Sequence, residues 1–380
     1  MTTTTDIISC IRGENLREVA TELGPQIAQH EAGHDRNGTF VAEAYELLRR
    51  AGFLATAVPS DLGGGGATTA QVAWAQYELA RNAGSAALAT SMHQHVVLAN
   101  AWRWRHGAAD AEALLRRVAA GTVLASTGGG DFTVPTGTAS RVDGGWEVTG
   151  RKSFVSGAPA ADLASMWAVT ESGDAIAFGV SLHDPLVDIV ENWDAPGMRG
   201  TASHDIVLNG VFIADERVTA TREPGVFAPV LAVVTSKAFP VISATYLGIA
   251  VGARDDVVAR TRGSSRATDP GVHRTIGAID QHLQEGRWIL DGVLAGLGED
   301  PEPTSETLVT ASLAKRAVID HARATGDLAM DVLGGRAYRR GDPVERAWRD
   351  LRAGPFHPIE NELTLRVAGA VALDQPFTLR

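Results

Sequence analysis

The segment His30-Glu31-Ala32-Gly33-His34 has the residue types and spacing of a zinc-hydrolase helix, in which two histidines one turn apart hold the metal and the glutamate between them acts as base. Its surroundings argue otherwise. Gly33 lies inside the motif, residues 35–38 read as a helix break, and the extended motif would need Gly and His where Asn37 and Phe40 stand, so a solvated helix end is expected here and no metal. His93 and His95 are two apart, which on a helix turns them to different faces as packing or surface groups. The glycines at 63–66 lack the Lys-Ser or Lys-Thr of a phosphate loop and the strand and downstream acid of a dinucleotide fingerprint. They read as a loop before a helix capped by Thr68 or Thr69. No GxSxG elbow is present, so the commonest hydrolase nucleophile is missing.

The elements that position these residues change character twice along the chain. Val41, Ala44, Tyr45, Leu48 and Ala51 recur at helical spacing and Gly52 closes the run. Residues 69–81, ended by Gly84, and 91–106, ended by Gly107, read the same way, and Asp110 is the expected N-cap of a helix over 111–120. From 123 onward short strands follow: Asp143-Gly144 marks a hairpin, strands at 164–170 and 175–181 flank the turn at 171–174, and strands at 205–208 and 211–213 flank Asn209-Gly210. These predict a small sandwich or barrel. From 226 helices return, first an apolar run over 226–253, then 275–297, then a long Ala-rich run from Ser305 to Gly334-Gly335. The apolar run is long enough for a bilayer, but Lys237, Pro229 and Pro240 argue for a buried core helix with others wrapped round it. The expected fold class is α+β multidomain: an N-terminal α-helical domain over 1–122, a central small β domain over 123–222 and a C-terminal α-helical bundle over 223–380.

Bulk properties narrow the function. A chain of 380 residues is too long for one hydrophobic core, and 44% hydrophobic with 21% charged residues is a globular composition. A formal net charge of -11 with scattered Lys and Arg excludes nucleic acid as a partner. The single cysteine, Cys10, excludes an intrachain disulfide and a cysteine-rich metal site, and the start MTTTTDIISC lacks the order of a secretory signal, so a cytoplasmic protein with no membrane partner is expected.

Several stretches together resemble the acyl-CoA dehydrogenase superfamily along nearly the whole chain. AGFLATAVPSDLGGGG at 51–66 is similar to the family's first-domain stretch ending in a Gly-rich turn. STGGGD at 126–131 stands where the family's Thr-Glu-Pro and Gly-Ser-Asp segments meet the flavin pyrimidine ring and the acyl thioester, with the Glu-Pro absent here; the resemblance implies cofactor contacts from Ser126, Thr127, Gly128, Gly130 and Asp131. GRKSFVSGA at 150–158 resembles the strand that lies along the isoalloxazine, which implies Phe154 as the aromatic face, Val155 beside it and Ser156 as a hydroxyl donor near flavin N5. MRGTASHDIVLNGVFIADERV at 198–218 resembles the hairpin closing the family's β domain. In the last domain Arg262 stands where the family reaches the FAD pyrophosphate of a neighbouring subunit, though Ser265 replaces the aromatic that normally follows it. Leu333-Gly334-Gly335, Pro343-Val344-Glu345-Arg346 and Arg349-Asp350 match the C-terminal signature. The resemblance implies FAD as cofactor, contacts from Gly334 and Gly335, and a homodimer or homotetramer.

The family's catalytic glutamate has no direct counterpart. GPFHPIENE at 354–362, counted without gaps from Arg349, puts Pro358 at the base position, and Glu360 serves only with two residues inserted; Ala238 stands where some members place an alternative glutamate. The resemblance therefore leaves three chemistries open. The first is α,β-dehydrogenation of a small-molecule acyl thioester with Glu360 as base, electrons leaving to an electron-transfer flavoprotein. The second is a flavin monooxygenase fed reduced flavin by a partner flavin reductase, with His357 acting on the oxygen-charged flavin. The third is a non-catalytic flavoprotein of the same fold.

Overall fold

The structure, a computed structural model, describes residues 11–380, so Cys10 and the Thr-rich start lie outside the described residues. The chain opens with helices α1 (Leu16–Asn37), α2 (Ala42–Arg50), α3 (Thr69–Ala80), α4 (Gly84–Arg105) and α5 (Ala109–Ala119). α1 buries Leu16, Ala20, Leu23 and Ile27 along one face and runs through residues 35–37 to stop at Gly38, whose φ of 65° suits glycine. The solvated helix end expected at His30–His34 is therefore replaced by a continuous, half-buried turn: Glu31 is buried and accepts the Ala86 N–H (3.2 Å), while His34 turns outward to Thr39 and Glu43. α3 opens with a capping box, Thr68 Oγ1 accepting from the Gln71 N–H (3.1 Å) and Gln71 Oε1 from the Thr68 N–H (2.9 Å). The glycines before it serve packing, since a Cβ on Gly64 or Gly65 would overlap the Val58 or Ile11 carbonyl oxygen.

α4 begins well before the expected residue 91 because Gly84 is a contact point and not a stop: a Cβ there would stand 3.1 Å from Ile249. Ala108, and not Asp110, caps α5; Asp110 lies in the first turn and pairs with Arg103 at 2.7 Å.

The middle of the chain forms β1 (Leu124–Ser126), a short α6 (Gly129–Thr133), β2 (Thr138–Val142), β3 (Gly145–Val155), β4 (Leu163–Thr170), β5 (Ala175–Ser181), β6 (Val187–Val190), β7 (His204–Ala214) and β8 (Val218–Arg222). They make one sheet in the order β6-β7-β3-β2-β4-β5-β8, with β1 beside β4. β1 and β2 share one edge of β4, β1 pairing with residues 163–165 and β2 with 169–170, which leaves the Trp167 backbone without a strand partner on that edge, its other edge pairing with β5. Buried Asp131 and Lys152 occupy that gap. The Trp167 N–H donates to Asp131 Oδ2 (3.3 Å), Lys152 Nζ donates to the Trp167 and Thr136 carbonyls, and the two charges pair at 2.8 Å. Asn209-Gly210 does not turn the chain as expected: β7 runs through it, and Gly210, at φ 80°, is the extra residue of a bulge opposite Val148 and Thr149. A glycine at positive φ serves a bulge as well as a hairpin, so the dipeptide alone does not separate the two.

The last third comprises α7 (Pro229–Arg262), α8 (Pro270–Leu297), α9 (Ser305–Leu333), α10 (Pro343–Leu351) and α11 (Asn361–Ala372). α7 is long and apolar enough to cross a membrane, and it is buried between α3, α4, α8 and α9. Pro229 occupies its first position, where no N–H is required. Lys237, fully buried in it, donates to the Glu299 carbonyl (2.9 Å) and Thr69 Oγ1 (3.2 Å). Gly248 and Gly252, one turn apart, bring α7 against α3, where a Cβ on either would overlap the Tyr77 or Arg81 carbonyl oxygen.

Candidate active site

A cavity of about 990 Å³ opens between α4, the sheet and α7, a volume suited to a flat tricyclic ring with a small substrate beside it. Ser126, Thr127, Gly128, Asp131, Phe154, Ser156 and His357 line it. Gly130 lies next to this wall in α6, open on its Cβ side. Val155 turns its side chain into the sheet core, fully buried, leaving only its backbone for a ligand. Asp131 is committed to Lys152 and Trp167, so its part in the cavity is to hold the wall.

Phe154 is 61% exposed on that wall. Its φ of 62°, at a break in register between β3 and β7, takes it out of the strand's alternation and points the ring edge-on to Trp193 (6.1 Å, 87°). Such a conformation at a non-glycine residue persists only where the surroundings enforce it. Gly128 packs directly behind, where a Cβ would come within 2.6 Å of the Ser153 carbonyl oxygen and 2.9 Å of Phe154 Cβ.

Beside Phe154 a row of hydroxyls has a fixed direction. Ser156 Oγ meets Ser203 Oγ at 2.7 Å, Ser203 Oγ meets Thr201 Oγ1 at 2.7 Å, and Thr201 Oγ1 lies 2.9 Å from the Met198 carbonyl oxygen. A carbonyl only accepts and each hydroxyl has one hydrogen, so all three hydrogens run toward Met198. Ser156 therefore offers the cavity lone pairs, an acceptor where a donor is the sequence expectation. An acceptor suits the N5–H of a reduced flavin, whereas oxidised N5 itself accepts. Phe154, the acceptor at Ser156 and the backbone of 126–129 together fit an isoalloxazine ring.

His357, half-buried, also lines the cavity, six residues past the end of α10. Tyr246 OH, whose proton burial holds well above the usual phenol pKa, donates to His357 Nε2 (2.8 Å), and among the described residues nothing hydrogen-bonds Nδ1. Burial, with Lys315 and His95 nearby, pushes the His357 imidazole down to about 3, so it is neutral at physiological pH. Lys315, fully buried, fixes the segment: Nζ donates to the carbonyls of His357 (2.7 Å), Pro358 (3.1 Å) and Ile359 (2.6 Å), and burial pushes its ammonium down to about 7. Pro358, at the ungapped base position, packs on Gly129. Glu360 is exposed at the N-cap of α11 and does not line the cavity, so it is not placed to take a proton from a substrate there. Of the acidic residues that do line the cavity, Asp110, Asp131 and Asp194 are ion-paired and Glu216 is solvent-exposed.

Arg262, Gly334 and Gly335 lie away from this cavity, exposed at the C-terminal ends of α7 and α9. Arg349 spends all five donors on structure, on Asp35 (2.8 and 2.7 Å), Glu345 (2.5 and 3.0 Å) and the Pro196 carbonyl (2.7 Å), which locks α10 to α1 and to the loop before β7. Asp350 beside it accepts the Met198 N–H, and burial raises its carboxyl to about 7. His93 and His95 are both buried. His93 donates from Nε2 to the Leu54 carbonyl (2.8 Å) and accepts the Leu124 N–H at Nδ1 (2.9 Å), and His95 lines the cavity. Ser203, Thr201, Tyr246 and Lys315 have no local motif; the one signal for Tyr246 is a polar group set in an otherwise apolar helix.

The comparisons with known proteins match this arrangement. The acyl-CoA dehydrogenase N-terminal domain matches residues 13–122, the middle domain residues 125–211 and the C-terminal domain residues 240–362. L-evernosamine nitrososynthase of a Micromonospora species is 31% identical over 363 residues, 90% of this chain and 86% of that protein. The putative acyl-CoA dehydrogenase YdbM of Bacillus subtilis is 29% identical over 96% of this chain and 99% of its own. The structure of KijD3 in complex with FMN and dTDP-3-amino-2,3,6-trideoxy-4-keto-3-methyl-D-glucose superposes with a TM-score of 0.85 at 27% identity, over 98% of this chain and 97% of that one. Matched in all three of its domains, the chain belongs to the acyl-CoA dehydrogenase family and is a flavin-dependent oxidoreductase of that fold.

Proposed function

We propose that the protein is a flavin monooxygenase that takes reduced flavin from a partner reductase and transfers one oxygen atom to a small organic substrate, with the amine of an amino sugar the first class to try. The observation that carries this reading is the cavity wall at 357–360, where His357 faces in on the Tyr246 hydroxyl and Glu360 stands outside. The acceptor polarity at Ser156 supports it, and so does the 31% identity to a nitrososynthase. Bound reduced flavin would supply the two electrons that divide dioxygen, one atom going to the substrate and one leaving as water. Ser156 would accept the ring's N5–H, Phe154 and Trp193 would cover its face against water, and neutral His357, whose Nε2 accepts from Tyr246 and whose Nδ1 therefore carries the imidazole hydrogen, would donate that hydrogen to the substrate or to the oxygen being transferred.

The test supplies protein, FMN or FAD, a flavin reductase with NADH and labelled dioxygen to a panel of amino-sugar nucleotides, and acyl-CoAs to oxidised protein without oxygen. One labelled oxygen in an amine-derived product supports the reading. Anaerobic bleaching by an acyl-CoA, lost in Glu360→Gln, would overturn it in favour of thioester dehydrogenation.

A further inference from the structure

Outside the cavity, His282 and Glu285 on α8 and His321 on α9 bring three ligand atoms together. His282 and Glu285, three apart, share one face of α8, and the neighbouring Gly286 packs on Leu247 of α7, where a Cβ would stand 2.9 Å away, with His321 Cβ at an ordinary contact distance of 3.8 Å. The two Nδ1 atoms are 3.1 Å apart, and Glu285 Oε2 lies 3.3 Å from His321 Nδ1 and 3.9 Å from His282 Nδ1. These separations bracket the roughly 3.3 Å between ligand atoms that tetrahedral coordination at about 2.0–2.1 Å requires. Glu285 is pre-aimed, because the Gln281 amide holds Oε1 at 2.9 Å and leaves Oε2 for the histidines. Protons serve this triangle poorly. A hydrogen on His321 Nδ1 has two acceptors to satisfy, and hydrogens on both Nδ1 atoms would oppose each other across 3.1 Å.

We propose that this triangle is a divalent-cation site, with two imidazoles and one carboxylate as ligands, water in the open position, and zinc as the ion the donor set suits best. Two imidazole nitrogens disfavour magnesium and calcium, which take oxygen. The three side chains are 24–34% exposed, so an ion reaches them from solvent, and none lines the cavity. Its consequence is mechanical: the ion would pin α8 to α9 without touching the flavin chemistry.

The test uses the full-length protein dialysed against chelator and then titrated with zinc chloride by calorimetry, with cobalt(II) as a second probe. The expected result is one zinc per chain, a rise in melting temperature of several degrees by linkage, and a visible cobalt band of low-coordination type. His321→Ala abolishes all three, and Glu285→Gln, which keeps shape and fold, weakens binding at least tenfold. His183→Ala, on the exposed β-domain surface, leaves binding unchanged. No saturable binding, or binding indifferent to Glu285→Gln and His321→Ala, overturns the proposal.

Discussion

His357 carries the chemistry of the proposed reading, and the groups around it define what replacing them does. His357→Ala lowers oxygen transfer by roughly 10²- to 10⁴-fold, the range of a positioned acid–base group, and leaves flavin affinity within a few-fold, as single-turnover kinetics beside a flavin titration would show. Equal loss of both would make His357 a packing residue. Lys315→Met strands the His357 and Pro358 carbonyls, and leaves the Ile359 carbonyl with only the Thr364 hydroxyl. Each unsatisfied buried group costs about 1–3 kcal/mol, so urea unfolding should show at least a few kcal/mol lost. His357 and Ser156 were legible in the sequence as positions, through the segments that surround them. The polarity of Ser156 was not, because it is set by Ser203, 47 residues away. The ungapped count from Arg349 reaches Pro358, and Glu360 takes the base position only with two residues inserted; neither count carries the direction in which residues 357–360 run.

At the scale of elements, the gap between β1 and β2 is closed by side chains in place of a strand. Lys152 and Asp131 close it with a fully buried pair, so Lys152→Met leaves an uncompensated carboxylate and should cost about 3–5 kcal/mol, measured by denaturant titration. A cost under 1 kcal/mol would mean that water replaces the pair. Gly248→Ala separates α7 from the Tyr77 carbonyl and should cost about 1–3 kcal/mol. Helix and strand periodicity made most elements readable, including the extent of α9 and the strands at 164–170 and 175–181. Two of the errors share one cause, since a glycine's reason for being there is often a tertiary contact. Gly84 looked like a helix stop and is a helix–helix contact, and Gly210 looked like a turn and is a bulge.

For the whole molecule, the order helix, sheet, helix was plain from composition and pattern, whereas its acid response is visible only in the fold. Burial holds His93 and His95 down to about 4 and His357 to about 3. In the unfolded chain these imidazoles bind protons near pH 6.5, so between 6.5 and 4 the unfolded state holds more protons. Their contribution to stability is present above pH 6.5 and is lost as pH falls toward 4, by about 1.4 kcal/mol per pH unit for each imidazole. Urea midpoints across that window should fall steeply, and a flat profile would contradict the burial. Arg262, Gly334 and Gly335 are exposed away from the cavity, and we propose that they meet a cofactor's adenine half across an assembly. Arg262→Ala should therefore weaken FAD but not FMN, with sedimentation showing a homo-oligomer; equal effects on both flavins would remove that role.

The central claim, that reduced flavin is the form this cavity receives, is tested most directly by anaerobic titration of the protein with reduced and with oxidised flavin. The hydroxyl row that makes Ser156 an acceptor predicts reduced flavin bound at least tenfold tighter, a rise of about 30 mV in the bound two-electron potential, and loss of that preference in Ser156→Ala. Oxidised flavin bound equally well or more tightly, with the preference unchanged in Ser156→Ala, would contradict it.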